Sequence, residues 1–449
     1  MRRAPREWLA RIADAESLES LGPSYDAPRP SPFLSRWSIS PQDDDGVVIA
    51  RLAIRGRVVL AAAQDARFLG GSVGAAHAAA LERLFVEARA SKATAVVLLL
   101  ASGGVRLHEA NPAEIGLARA LRALIDARAA GVPVVALGVG DVFGGASMLA
   151  CAADRLGLLP EARLGLSGPR VIATASPGEI DADDASAVTD VFGAAARALR
   201  GQADLVRDDI EPMRDWITRA IRGDHKLVTA VREQQERLTR ELAGLPASDA
   251  SPAPLPVYWR ESTRALDTAA GIWEVPGSNA WIAAASGSHA VTARALNALD
   301  GVLLRAISPS GAAPKTVVLL EDSAGHEISR RAEEMGLSRF LAHHACVLGV
   351  LRAAGVSVRA LLTGQGHSAA FFVNALQADR LMVWQGARSM AMDPRAVARV
   401  TGLDHEALVA SLEADPVLGH AAALLTQWRP DARVVTEVDA AALAELVGA

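Results

Sequence analysis

The chain says nearly the same thing twice, and that repetition constrains its fold more than any single motif. AVVLLLASGGVR (Ala95–Arg106) leads into AAGVPVVALGVGDVFGGASMLACAADRLGLL (Ala129–Leu159); later, TVVLLEDSAGHE (Thr316–Glu327) leads into AAGVSVRALLTGQGHSAAFFVNALQADRLMV (Ala353–Val383). Each copy must be one supersecondary unit with its own buried strands. Two similar domains in tandem are expected, and a length of 449 residues agrees, because it exceeds what one core usually supports.

Within the first copy, GVVIARLAIRG and RVVLAAAQD are β-branched runs split at Arg55-Gly56-Arg57, which predicts a hairpin. Continuous apolar strands then alternate with helices over Pro112–Ala130 and Gly145–Ala153, the pattern of right-handed βαβ crossovers. The fold class is α/β. The predicted organisation has an N-terminal helix (Trp8, Leu9 and Ile12 on one face) with a Pro-rich connector over 1–45, and a first domain over 46–211. A long charged helix and a Pro/Ser/Ala linker follow over 212–256, with the boundary near Ser248–Pro256, and a second domain occupies 257–449. Past Met392, the segment PRAVARVTGLDHEALVASLEADPVL is expected to be helical, with no clear counterpart in the first copy.

Composition excludes several classes of function. The formal charge of −5 comes from interspersed acids and bases, with no basic stripe for nucleic acid and no polybasic cluster for a membrane surface. No stretch approaches the apolar length of a membrane span, and the first residues lack a signal-peptide core. Cys151 and Cys346 make neither a disulfide framework nor a metal set; they are expected to be buried structural thiols, which favours the cytoplasm.

In parallel α/β layers, ligands gather where strands run into helix N-termini. Two such turns in the first copy are glycine-rich: Ser102-Gly103-Gly104 and Phe143-Gly144-Gly145. Facing each other, they can donate one backbone N–H each to a thioester oxygen as it becomes an enolate. Gly103, Gly104, Gly144 and Gly145 are the expected donors, against the plainer alternative of tight turns without a ligand. Arg106, His108 and Glu109 follow the first turn, placed either to touch a substrate carboxylate or relay a proton, or as a plain loop. The second copy keeps the frame with other letters, Ser323-Ala324-Gly325 and Gly366-His367-Ser368-Ala369-Ala370. That run departs from a nucleophile elbow at Ala370, so Ser368 is expected as a helix N-cap. Arg330, Arg331 and Glu334 suggest a surface or interface salt bridge. Asp154 and Asp379, at the same place in the repeat, suggest a structural turn.

These loops resemble a known family. From about Asp44 to Asp208 the chain is similar to the β subunit of biotin-independent malonate decarboxylase, through DDGVVIAR, GGSVG (Gly70–Gly74), SGGVRLHEAN (Ser102–Asn111), FGG (Phe143–Gly145) and EARLGLSGPRVI (Glu161–Ile172). The second half looks like the γ subunit, through SRRAEEMGL (Ser329–Leu337), SAAF (Ser368–Phe371) and ARVTG (Ala398–Gly402). Both belong to the carboxyltransferase branch of the crotonase-like superfamily, so the resemblance implies tandem crotonase-like (ClpP/crotonase) ββα domains in a β–γ fusion. It also implies decarboxylation of a malonyl thioester on an acyl carrier protein. The CoA-derived prosthetic arm would be supplied by that carrier, with no group bound covalently to this chain and no metal. The implied partners are the acyl carrier protein subunit, an acyl-carrier transferase subunit and further copies of the chain. Ser102, Arg106, His108, Phe143, Gln365, His367, Ser368 and Ala369 are the expected substrate contacts. Departures from the family pattern include Asp141-Val142 for Gly-Cys, Arg170 for an acid, Gln365 for a lysine and Ala369 for a glycine. The alternatives are a biotin-dependent carboxyltransferase, although the chain has neither a four-Cys zinc ribbon nor a biotinyl-lysine motif, and a non-catalytic carrier-binding scaffold.

Overall fold

The structure is a computed structural model that describes residues 3–21, 30–223, 225–244, 254–308 and 313–448; most of the Pro-rich connector and of the 248–256 linker lies outside them. The chain forms two compact units. The first comprises Met1–Glu109, Arg119–Ala230 and Ile328–Ala342, and the second Ala110–Ala118, Val231–Glu327 and His343–Ala449. Each is built on an 8-stranded sheet.

In the first unit the antiparallel pair Val47–Ile54 and Arg57–Gln64 opens the sheet. Its two-residue turn places Arg55 and Gly56 at φ 49° and 74°, the left-handed pair that matches strand twist. Both turn amides donate to the Asp14 carboxylate, at 3.0 and 2.7 Å. Parallel strands Val96–Ser102, Val134–Val142, Arg155–Leu158 and Asp204–Leu205 follow in order. The strand Val96–Ser102 is buried along its whole length, which is why it reads as continuous apolar sequence rather than alternation. Trp8, Leu9 and Ile12 of the helix Pro5–Ile12 pack into a core with Val97, Leu99, Val135 and Leu137.

The second unit repeats this plan. Short antiparallel strands Arg264–Asp267, Ile272–Val275 and Ala280–Ala284 lead into parallel Thr316–Ser323, Ser357–His367, Arg380–Trp384 and Arg433–Val435. The repeat extends to irregularities. In one sheet the register shifts between Leu100, opposite Gly138, and Ser102, opposite Val142; in the other it shifts between Glu321, opposite Leu362, and Ser323, opposite Gly366. Asp154 Oδ2 accepts from Val134 N at 2.8 Å and Asp379 Oδ2 from Val358 N at 3.0 Å, the shared structural turn expected of them.

Three expectations are corrected. The long charged helix is two helices, Ile210–Ala220 and Leu227–Ala243, interrupted where Gly223 sits at φ 127°. Strands Arg264–Asp267 and Ile272–Val275 precede the first one expected in this half; at four residues each, they are too short for a period-2 signal. Cys346 is buried but Cys151 only partly so, and neither forms a disulfide. Among the described residues, no helix is long and apolar enough to cross a membrane.

Candidate functional site

The register shift at the end of Val96–Ser102 turns the chain toward the loop after Val134–Val142, and Phe143 N donates to Ser102 O at 2.9 Å. Two glycines then let the backbones touch. Gly104 has φ 103° and Gly144 has φ 55°. A Cβ on Gly104 would lie 3.2 Å from both Gly144 Cα and Phe143 O, and one on Gly144 would lie 3.2 Å from Gly104 Cα. Both sites therefore require glycine for conformation and for proximity.

Three of the four amides read from the sequence as donors are taken up within the fold. Gly103 N donates to Gly70 O and Gly144 N to Leu166 O, each at 3.0 Å. Gly104 N donates to Ser102 Oγ at 3.1 Å. On these turns, Val105 N and, at the start of helix Gly145–Cys151, the amides of Gly145 and Ala146 have no acceptor among the described residues. A Cβ on Gly144 would stand 3.9 Å from Val105 N, so these donors sit on the touching segments. Val105 escapes detection in the sequence because only the positive φ at Gly104 shows which amide the turn leaves outward.

Arg106, an expected substrate contact, is engaged inside the fold. Its side chain is fully buried, with Nη1 donating to Asp45 Oδ1 at 2.6 Å and Glu109 Oε1 at 2.8 Å, and Nη2 to Ser72 O at 2.9 Å. Glu109 Oε2 accepts from Ala75 N at 2.8 Å. This knot clamps the base of the first turn. The His108 ring stands edge-on to Trp37 at 5.8 Å, and burial together with nearby Arg106 holds its pKa below the usual histidine range, so it is neutral at pH 7. Phe143 is a packing residue against Phe192, at 5.5 Å.

A further group supports the second turn. Glu333, on helix Arg330–Met335, is buried and accepts from Leu166 N at 3.1 Å and Ser167 N at 2.6 Å, with Arg197 Nη2 at 3.4 Å. Leu166 O in turn anchors Gly144 N, so the SRRAEEMGL motif acts on the donor turn through Glu333. Neighbouring Glu334 forms the expected surface pair with Arg330, at 2.8 Å. Glu333→Gln replaces an acceptor with a donor facing those amides; turnover is expected to fall by up to about 100-fold through misplacement of the turn, with substrate KM changed far less.

Gln365, His367, Ser368 and Ala369 lie in the second unit on its own strand-to-helix turn. Register makes Gln365 the counterpart of Asp141: Gln365 pairs with Arg388 as Asp141 pairs with Arg163. Ser368 has φ 51°, the counterpart of Gly144, and Gly325 has φ 103°, identical to Gly104. Ser368 is not an N-cap: His367 holds that position, and Ser368 Oγ donates to Ala391 O at 3.0 Å. Burial lowers the pKa of the His367 ring. Here a Cβ on Gly325 would meet nothing nearer than 3.6 Å, so the turns stand further apart and a serine is accommodated.

Comparison with known proteins agrees with this duplicated frame. Residues 38–221 match the carboxyl transferase domain, and residues 286–445 match the malonate decarboxylase gamma subunit. Residues 38–221 thus carry a carboxyl transferase domain, and the second half is of malonate decarboxylase gamma type. Both units accordingly carry crotonase-like folds in tandem. The malonyl-S-ACP:biotin-protein carboxyltransferase of Malonomonas rubra is 30% identical over 207 residues, 42% of this chain and 64% of that protein. The acetyl-coenzyme A carboxylase carboxyl transferase subunit beta 1 of Roseiflexus sp. (strain RS-1) is 31% identical over 38% of this chain and 60% of that subunit. The chain thus spans less than two thirds of these relatives. A crystal structure of a Pseudomonas malonate decarboxylase hetero-tetramer in complex with malonate is 30% identical, covering 55% of this chain and 91% of that one, with a TM-score of 0.49.

Proposed function

We propose that the chain decarboxylates a malonyl thioester carried on an acyl carrier protein, with the thioester oxygen held by the Val105 and Gly145 amides. The C–C bond to the carboxylate breaks, its electron pair passes into the thioester as an enolate, CO2 leaves, and a proton added at the α-carbon gives the acetyl thioester. Two unpartnered backbone donors on touching turns are the observation that carries this reading. An enolate oxygen gains charge that such donors stabilise, each by about 3–4 kcal/mol of barrier. The gamma-subunit match supports the malonyl substrate. By the same reasoning the chain works with a carrier protein subunit, whose CoA-derived arm presents the acyl group, and with an acyl-carrier transferase subunit, as an oligomer in the cytoplasm.

A second reading is favoured by the Malonomonas relative, whose name describes transfer to a biotin protein. The two separate in one assay. The purified chain is given malonyl thioester labelled with 13C in the free carboxyl, with and without a biotinylated acceptor. Decarboxylation releases labelled CO2 and acetyl thioester in both arms; label retained on biotin, with no turnover in its absence, would establish the transferase. No acetyl thioester in either arm would leave the chain as a carrier-binding scaffold.

A further inference from the structure

The second unit includes Ala110–Ala118, the first half of a helix that runs from Ala110 to Ala129. Asn111, Glu114, Ile115 and Ala118, spaced three and four apart, share one face of this segment and are all buried. Both ends of the segment are pinned inside the unit. Asn111 N donates to Val417 O at 3.0 Å and Asn111 Nδ2 to Gly419 O at 2.7 Å, while Ala118 O accepts from Gln377 Nε2 at 3.1 Å. Glu114 lies between these anchors and is only 3% exposed, yet among the described residues no hydrogen bond or ion pair reaches its carboxyl.

The charge that acts on Glu114 belongs to a second buried acid, Glu321 of strand Thr316–Ser323, which is 2% exposed. Its Oε1 lies 2.5 Å from Ser323 Oγ, and its Oε2 accepts from Asn374 Nδ2 at 2.6 Å; both partners are uncharged. Asn374 Oδ1 lies 3.2 Å from His344 Nε2, and His344 Nδ1 lies 2.6 Å from Asp300 Oδ1. Burial works against a charge on His344, but the Asp300 carboxylate raises its pKa, and the two form an imidazolium–carboxylate pair with no net charge. The remaining group facing Glu321 is its neighbour Asp322, another acid. These elements therefore bring no surplus cation to offset two carboxylates. In the first unit the place of Glu321 in the repeat is taken by Leu100, at the same register shift, so the fold itself does not need an acid there.

An unpaired buried carboxylate is costly, and such a group keeps its proton instead. Burial, then the nearness of Glu321, pushes the Glu114 pKa up to about 8. Burial, partly offset by the Ser323 and Asn374 hydrogen bonds and by His344, raises Glu321 to about 7. Both carboxyls are protonated at pH 6 and ionised at pH 9.

We propose that Glu114 and Glu321 form a pH-sensitive latch: the protonated pair keeps Ala110–Ala118 seated in the second unit, and ionisation of the pair releases that segment. Each acid holds its proton more tightly when buried than in a released segment, where the ordinary carboxyl value of 4.5 applies. The seated state therefore has its full advantage below that value, loses it as pH rises through about 7 and about 8, and changes no further above that. The segment continues directly from Glu109, the acid that pairs with Arg106 beneath the first donor turn, so the latch governs the helix into which that turn runs. It depends on no substrate and stands apart from the thioester reading.

Hydrogen–deuterium exchange of the full chain between pH 6 and 9, read by mass spectrometry and corrected for the intrinsic pH dependence of amide exchange, tests the latch. Protection of Ala110–Ala118 should fall at least about tenfold over this range, while strand Ser357–His367 of the same unit keeps its protection. Glu114→Gln with Glu321→Gln, amides shaped like the protonated acids, should retain the pH 6 protection at pH 9. Glu114→Gln alone, which removes no hydrogen bond, should shrink the wild-type fall at least about threefold, and it decides the matter if the double variant fails to fold. A flat wild-type profile overturns the proposal. So does a fall shared equally by Ser357–His367, which marks general alkaline loosening, or a fall that Glu114→Gln leaves unchanged.

Discussion

Gly144→Ala will lower acetyl thioester formation by about 100- to 1,000-fold while leaving the chain folded, because it separates the two donor turns. The added methyl would sit 3.2 Å from Gly104 Cα, closer than nearly all real contacts allow, and neither backbone segment is a flexible side chain that can swing aside. The backbone itself, at φ 55° and ψ −135°, lies outside the left-handed helical region in a conformation that favours glycine, so an alanine adds about 1–3 kcal/mol of strain. The second unit provides the internal control: Ser368 adopts φ 51° there, where the opposing turn is more distant. Steady-state kinetics with the malonyl carrier substrate, beside a thermal melt, checks this. Turnover within about tenfold of wild type, with the fold intact, would mean that contact between the turns does not matter to the chemistry.

Arg106→Leu will act on stability rather than on substrate binding. It leaves Asp45 and Glu109, both wholly buried, without their shared cation, and removes the donor to Ser72 O. Breaking a buried pair in this way costs about 3–5 kcal/mol, because the orphaned carboxylates keep their desolvation penalty. The urea midpoint of the first unit should fall markedly. An unchanged midpoint with a raised KM for the malonyl substrate would instead mark Arg106 as a ligand for the substrate carboxylate.

The parallel core is legible in the chain because buried parallel strands leave an uninterrupted apolar signature, twice over, at Val96–Ser102 and Thr316–Ser323. The hairpin is legible because Arg55-Gly56 must adopt positive φ. The site is legible only to the level of its turns. Which amide is free depends on acceptors far away in sequence, Gly70 O and Leu166 O, and no local pattern encodes those pairings. Arg106 and Glu109 read as substrate groups because charge beside a glycine turn looks functional until its burial partner, Asp45, is seen. Glu333 and Glu334 are adjacent, and only the helical phase separates the buried anchor from the surface pair. Glu321 is hidden by its position in an apolar strand, where one acid within TVVLLED passes as the strand's end.

The central claim is that the Val105 and Gly145 amides hold the developing enolate oxygen. A crystal structure of the chain with a nitroacetyl thioester of pantetheine, whose anionic nitronate mimics that enolate, tests it most directly. The account predicts the thioester oxygen of the bound anion within hydrogen-bond reach, about 2.7–3.1 Å, of both Val105 N and Gly145 N. A thioester oxygen placed away from these amides, with both still lacking an acceptor, would contradict the account.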